Sequence, residues 1–356
     1  MTMSQLATLS RNYLPSSGTI AGAQKLGRQI VAAVDAREAI IASDNRIDRV
    51  FAIPAGNWIG TGDYAAAYRL LASLHWSELR YLRLRCQNFT GRNLVKMTDA
   101  WGLRAADRIP QHFEQSWTEE QRIAIVTHWN ALTTDLPAEL IVRPPNILGE
   151  VGWWVENTIV NLDTIDCQER VNIFDCSGLL ARFAAQGIRI LEVGGGYGAL
   201  AQVLSRLLNP RQYVICDLPE SLLFSGLYLS FTESTRIRLV GADDNLMPRN
   251  EGEIVLLPNY LAQTLLSEER FHLVVNTLSM SEMTSHQVEV YADLIERAIG
   301  LNGLFFEQNY DNRPSGMIDC HEYLPKFFNT KKIIHPGPIP LTRGEPVLWS
   351  NCPPIF

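Results

Sequence analysis

The chain has 356 residues, 46% hydrophobic and 19% charged, with 31 Lys or Arg against 38 Asp or Glu and a formal net charge of −7. That balance belongs to a core-rich globular chain of about two domains and not to a disordered one. It argues against a broad basic face for nucleic acid, and no apolar run reaches the ~18 residues of a membrane span.

The first thirty residues contain no Asp or Glu and carry Arg11, Lys25 and Arg28. A transit peptide has that look, but without an amphipathic Arg-rich face the reading adopted is a frayed terminus leading into a helix. Apolar residues spaced by three and four predict helices over 19–42 and 62–87, with Pro54, Gly56, Gly60 and Gly62 marking a loop over 54–62. Thr118 ahead of Glu119 and Glu120 opens a third helical stretch over 118–132. Pro144-Pro145 and two glycines interrupt the pattern over 143–154, which places a boundary between a mostly helical part, 1–145, and a second domain, 146–356. Trp153 and Trp154 in this junction read as interface core more than as a sugar-stacking surface.

From residue 165 onward, short β-rich runs alternate with helical stretches. The runs are Ile188–Val193, Tyr213–Cys216, Ile254–Leu257, Leu273–Val275, Leu304–Phe306, Lys332–His335 and Pro346–Trp349. Such alternation predicts an α/β, Rossmann-like and mostly parallel sheet. Only a Pro/Gly-rich loop separates the last two runs, which suits an antiparallel C-terminal hairpin at the sheet edge.

The densest signal is the stretch IRILEVGGGYGALAQVLSRLL at 188–208. A buried strand runs into Gly194, Gly196 and Gly198 and out into an amphipathic helix. Glycines there allow positive φ and close approach of a ligand, and the helix start offers free N–H groups. Gly194, Gly196 and Ala199 satisfy a dinucleotide fingerprint, while Glu192, Gly194, Gly196 and Gly198 satisfy an acid-x-G-x-G-x-G pattern. Glu192 favours S-adenosylmethionine (SAM), because a carboxylate repels a pyrophosphate and attracts an ammonium. Asp217 ends the next run about twenty residues on, where an acid accepts hydrogen bonds from ribose hydroxyls; the alternative is a helix N-cap ahead of Pro219.

The strings LEVGGGYGALA (191–201), VICDLPESL (214–222), FHLVVNTLSMSEM (271–283) and FFEQN (305–309) resemble the class I SAM-dependent methyltransferases. Within them the likeness is to the putative sugar O-methyltransferase family, over about residues 145–310. That resemblance implies methyl transfer from SAM to a hydroxyl of a sugar or sugar-like small molecule. The helical part would then lid the site and choose the acceptor, with a homodimer contact as a further expectation.

The third strand has two placements, one ending at Asp243 and Asp244 and one ending at Asn259. Short connections favour the second and put Asn259 near an adenine. Asp243 and Asp244 then form a solvated turn and not half of a magnesium site; no metal is expected. A base assists attack by a weakly acidic hydroxyl, and the candidates are Glu282, His286 and His321. Glu282 and His286 share one face if a helix starts near Ser279, in which case Ser279 and Glu282 also match a capping box. His272 reads as structural. Asn276 and Asn309 end the fourth and fifth strands and, being buried, require partners in cofactor, acceptor or loop backbone; Asn276 is counted with the cofactor-binding residues.

The six cysteines at 86, 167, 176, 216, 320 and 352 form no C-x-x-C pair, which favours reduced thiols and a cytoplasmic setting. Two rival classes remain: a nicotinamide-dependent oxidoreductase using the same glycines and Asp217, and a non-catalytic binding subunit. Transfer to nitrogen or carbon is a third variation.

Overall fold

The computed structural model describes residues 13–43, 62–86, 117–184, 187–233, 236–337 and 341–352. The first expected helix is α1 (Ser17–Ser43). The stretch 62–87 divides into α2 (Gly62–Ala72), α3 (Trp76–Leu79) and α4 (Leu82–Arg85) and is not a continuous helix. Leu74 interrupts it with φ +57°, and its carbonyl accepts a 2.9 Å hydrogen bond from Gln24 of α1. Apart from Gly62, the expected loop 54–62 lies outside the described residues. Next comes α5 (Glu119–Thr133), closed at its start by a reciprocal capping box between Thr118 and Gln121.

The segment 143–154 is irregular as far as a small antiparallel hairpin, β1 (Trp153–Val155) and β2 (Thr158–Val160). Trp153 is buried in a cluster with Trp129 and Ile165, and Trp117 meets its ring edge-on at 5.6 Å, so it is core, as expected. Two helices, α6 (Leu162–Cys176) and α7 (Leu179–Phe183), lead into the sheet.

The sheet elements follow as β3 (Arg189–Val193), α8 (Ala199–Leu208), β4 (Gln212–Asp217), α9 (Pro219–Thr232), β5 (Ile237–Leu239), β6 (Glu253–Pro258), α10 (Ala262–Leu266), β7 (Leu273–Thr277), α11 (Ser285–Ile299), β8 (Leu304–Gln308), β9 (Thr330–Ile333) and β10 (Pro346–Ser350). Their spatial order is β5-β6-β4-β3-β7-β8-β10-β9. Strands β3 to β8 all pair in parallel, while β10 is antiparallel to both β8 and β9. This is the expected Rossmann-like sheet with an antiparallel C-terminal hairpin. Its last edge strand is displaced from the expected 332–335 to Thr330–Ile333. Both candidate third strands form: Glu253–Pro258 lies beside β4, and 237–239 adds an outer edge. Asp244 sits in an exposed turn, accepting from Gly241 N at 2.9 Å and pairing with Arg249 at 2.6 Å, which draws its carboxyl below the usual range.

Alternate side chains of the strands feed two cores. Ile190, Tyr213, Ile254 and Phe306 face α1, α2, α6, α8 and α9, whereas Leu191, Val214, Val274 and Phe305 face α10 and α11. α9 is apolar on all sides because it lies between the sheet and α1. At Gly226 the packing is closest: an added Cβ would stand 2.8 Å from Ile30 of α1 and 2.9 Å from Leu256 of β6. Leu26, Ile30 and Leu71 therefore share one core with the sheet face. The described cysteines form no disulfide, and among the described residues no helix is long and apolar enough to cross a membrane.

Candidate active site at the carboxyl ends of the strands

In parallel α/β sheets ligands lie beyond the carboxyl ends of the strands. Here β3 turns into α8 through residues 194–198, with Gly194, Gly196 and Gly198 at φ +76°, +55° and +88°. These are left-handed conformations that a side chain would strain. A Cβ on Gly194 would also collide with the Ser279 hydroxyl. The loop is anchored at its start by Gly194 N donating to Cys216 O at 2.9 Å.

Asp217 closes β4 beside this loop. Its Oδ2 accepts from Gly196 N at 3.1 Å and its Oδ1 from Leu218 N at 2.7 Å. The N-cap position of α9 is Leu218, with Pro219 following, so Asp217 is not the cap. Burial pushes its carboxyl up to about 7. Glu192 lies fully buried under the loop, accepts the Tyr213 hydroxyl at 2.9 Å, and is likewise pushed up to about 7 by burial.

Asn259 follows β6, is 3% exposed, and its Oδ1 has no hydrogen-bond partner. Sequence reasoning missed Arg170 on α6. It is 4% exposed, its Nε and Nη2 lack partners, and its charge reaches the Glu192 carboxyl. Its sequence neighbours Gln168, Glu169 and Asn172 are polar, so no local pattern marks it out. Arg37 was missed too. This α1 residue is 2% exposed and grips Glu220, at the start of α9, through two hydrogen bonds of 2.8 and 2.6 Å. An N-terminal helix thus braces the wall next to Asp217.

Asn276 was expected at the cofactor, but protein partners occupy both ends of its amide. Its Nδ2 donates to Val193 O at 2.8 Å and to Ser279 Oγ at 2.6 Å, while its Oδ1 accepts from Met280 N and from Asn309 Nδ2 at 3.0 Å. Asn276 therefore brackets the end of β3 to the loop after β7. Asn309 also donates to Glu307 Oε2 at 2.9 Å, and its Oδ1 accepts from Ser281 N, so it too serves loop backbone.

The helix expected near Ser279 starts later. A 3₁₀ turn, Met280–Glu282, comes first, and α11 opens at Thr284 with its own capping box to Gln287. Glu282 and His286 therefore do not share a helical face, and the Ser279–Glu282 capping box does not form. The Thr284–Gln287 box satisfies the helix start more fully, and the Ser279 hydroxyl is held by Asn276 and Val193. Glu282 is open to solvent yet surrounded by protein mass, and desolvation pushes its carboxyl up to about 7. His286 is exposed on the first turn of α11.

His321 is held at both ring nitrogens, Nε2 to Glu307 Oε1 at 2.8 Å and Nδ1 to Asp319 Oδ1 at 2.9 Å. The bond to Glu307 raises its pKa and favours the imidazolium. Glu307 itself is fully buried and also accepts from Trp349 Nε1 at 3.3 Å. Glu307, Cys320 and His321 are the one described His/Cys/acid group close enough to hold a metal ion. With Glu307 and His321 bonded to each other, the group is already satisfied. His272 accepts Arg189 N at 3.1 Å just before β7, a structural role as expected.

No family model matches the sequence, and no curated protein matches it. Solved structures do resemble the fold. One is the N-methyltransferase NodS from Bradyrhizobium japonicum in complex with S-adenosylhomocysteine: 11% identity, 63% of this chain and 95% of that one, TM-score 0.34. A TehB-like SAM-dependent methyltransferase from Corynebacterium glutamicum aligns at 15% identity over 51% of this chain and 94% of its own, TM-score 0.33. Phosphoethanolamine N-methyltransferase 2 from Haemonchus contortus aligns at 13% identity over 45% of this chain but 38% of its own, TM-score 0.32.

Proposed function

We propose that this protein is a SAM-dependent methyltransferase that transfers the methyl group to a hydroxyl of a sugar or sugar-like small molecule. One observation carries the reading. Around a glycine loop with three left-handed residues stand an acid and a buried amide oxygen without a partner, both at strand ends, and a buried guanidinium on α6 with two unpartnered nitrogens. Buried polar groups left unpaired are costly, and a ligand that satisfies them removes that cost. The donor set fits SAM: Asp217 suits the ribose hydroxyls, Asn259 Oδ1 an adenine amine, and Arg170 the amino acid carboxylate. Glu192 lies below the loop on the side where an ammonium would be favoured.

When bound, SAM supplies a methyl group already activated by its sulfonium. The chain's own contribution is alignment and proton removal. Asn276 and Ser279 hold the glycine loop against β7, so the loop does not need ordering when ligand arrives. Glu282 is the base we assign to the acceptor hydroxyl, since a carboxyl near 7 is poised between holding and releasing a proton. His286, in the first turn of the neighbouring helix, is the residue we assign to contact with the acceptor. His321, bonded at both nitrogens, positions the loop after β8 through Glu307. In this reading the part up to residue 145 covers the site, with Arg37 and Glu220 as its hinge-side anchor.

Calorimetric titration with S-adenosylhomocysteine, NADH and NADPH in parallel tests the cofactor. Saturable binding of the homocysteine compound alone is expected; binding of NADH or NADPH in its place overturns the reading. A screen of sugars with methyl-labelled SAM then tests the acceptor. For the active acceptor, Glu282→Gln is expected to lower kcat about 100-fold and to remove a rise in rate through pH 7, with little change in KM for SAM.

A further inference from the structure

A cavity lies in the helix layer next to the start of α8. It has a volume of about 270 Å³ and lies between the 139–144 segment, α6 and α8. Val142, Val203 and Leu207 give it an apolar wall, and Tyr197 of the glycine loop reaches its side.

Two buried side chains in its lining have hydrogen-bond donors with no partner. Arg83 is 2% exposed; its Nε bonds Glu150 at 2.6 Å and its Nη2 bonds Asp163, while Nη1 has no partner. Gln202 is 3% exposed; the Tyr228 hydroxyl donates to its Oε1 at 3.1 Å, while Nε2 has no partner. The guanidinium is fixed in place, stacked 4.4 Å over the Tyr197 ring. Glu150 is in turn held by Asn161 at 2.8 Å.

Glu150 and Asp163 already balance the Arg83 charge, so the cavity offers hydrogen-bond donors without net positive charge. Arg143 and Arg206 at its rim are engaged by backbone carbonyls and by Glu233. Glu139 and Asp163 on the lining oppose an anion. An ammonium would be opposed by the two donors of the inner wall, while Glu139, the carboxylate that would attract it, is exposed and screened by solvent. We infer that this cavity is a second small-molecule site, taking a neutral ligand whose carbonyl oxygen accepts from Arg83 and Gln202 while its apolar body packs on Val142, Val203 and Leu207.

Ligand-observed NMR titration of the full chain tests this with N-cyclohexylacetamide as the probe, and with cyclohexanecarboxylate and cyclohexylammonium in parallel. The amide is expected to bind saturably and the two ions not to bind. Gln202→Leu, which keeps the shape and removes the donor, is expected to weaken the amide about tenfold. Val203→Trp, which fills the cavity, is expected to abolish it. Absence of saturable amide binding overturns the inference, as do unchanged binding by Gln202→Leu or tighter binding of the carboxylate. S-adenosylhomocysteine titration of the same samples reads the cofactor cleft separately, so a failure of one site is not mistaken for a failure of the other.

Discussion

The sheet carries two polar constellations at its carboxyl ends, and they differ in how completely they are paired. Around Glu307, every carboxylate oxygen has a donor: His321 and Trp349 on one, Asn309 on the other. Around the glycine loop, Arg170 and Asn259 keep buried atoms without partners. Both regions are built from side chains that a hydrophobic core would exclude. A satisfied buried network holds loops in one arrangement, whereas an unsatisfied one is complete only with a ligand. The difference separates scaffold from binding site better than residue type does, since both contain acids and amides.

Substitutions in the two regions should therefore act on different quantities. The largest expected effect is on stability: Glu307→Ala leaves His321, Asn309 and Trp349 without their common acceptor and should cost about 3 kcal/mol in urea unfolding, with S-adenosylhomocysteine affinity nearly unchanged. In the cleft the pattern should invert. Asp217→Ala should weaken S-adenosylhomocysteine by roughly 30-fold in calorimetry, the range for a charged hydrogen bond, with a smaller loss of melting temperature because Gly196 N and Leu218 N lose their acceptor. Arg170→Leu should weaken it about tenfold and leave the ligand-free protein at least as stable, because two buried N–H groups without hydrogen-bond partners are removed. If Glu307→Ala abolished ligand binding while Arg170→Leu left it intact, the comparison would collapse.

The smallest effect sharpens the comparison through pH. Folded Glu192 keeps its proton up to about 7, whereas the unfolded chain releases it near the ordinary value. Between those values the native state binds more protons, so this group's contribution to stability falls as pH rises through that window and stays lower above it. Glu192→Gln keeps a partner for the Tyr213 hydroxyl and removes the titration. Its unfolding free energy should exceed the wild type by on the order of 1 kcal/mol at pH 8 and match it near pH 4. An unchanged difference across that range would show that Glu192 does not titrate on folding.

Local signals were legible wherever a few neighbouring residues decide the outcome. The glycine spacing at 194–198 gave the turn, because only glycine tolerates three left-handed residues in one short loop. The strand starts and stops were readable from β-rich runs, and Asp217 from its place at the end of one. Helix starts were less secure. Ser279 and Thr284 both head a capping pattern, and the choice went to Thr284 because the Ser279 hydroxyl is occupied by Asn276 and Val193. The extent of helix over 62–87 was overestimated for a related reason: the turn at Leu74 is set by contact with α1, some fifty residues away.

Taken by itself, the sequence determined the order of elements, the mostly parallel sheet, the glycine turn and the acids at its margin. These depend on side-chain period, on backbone freedom and on spacing within about twenty residues. The tertiary structure decided which polar groups face a ligand and which face one another. Asn276 turned inward because Val193 and Asn309 reached it first, from 83 and 33 residues away. Arg170 entered the site because α6 packs beside the glycine loop, and Arg37 because α1 lies across α9. Hydrogen-bond partnership between distant segments exists only once the chain has packed, so no local pattern records it.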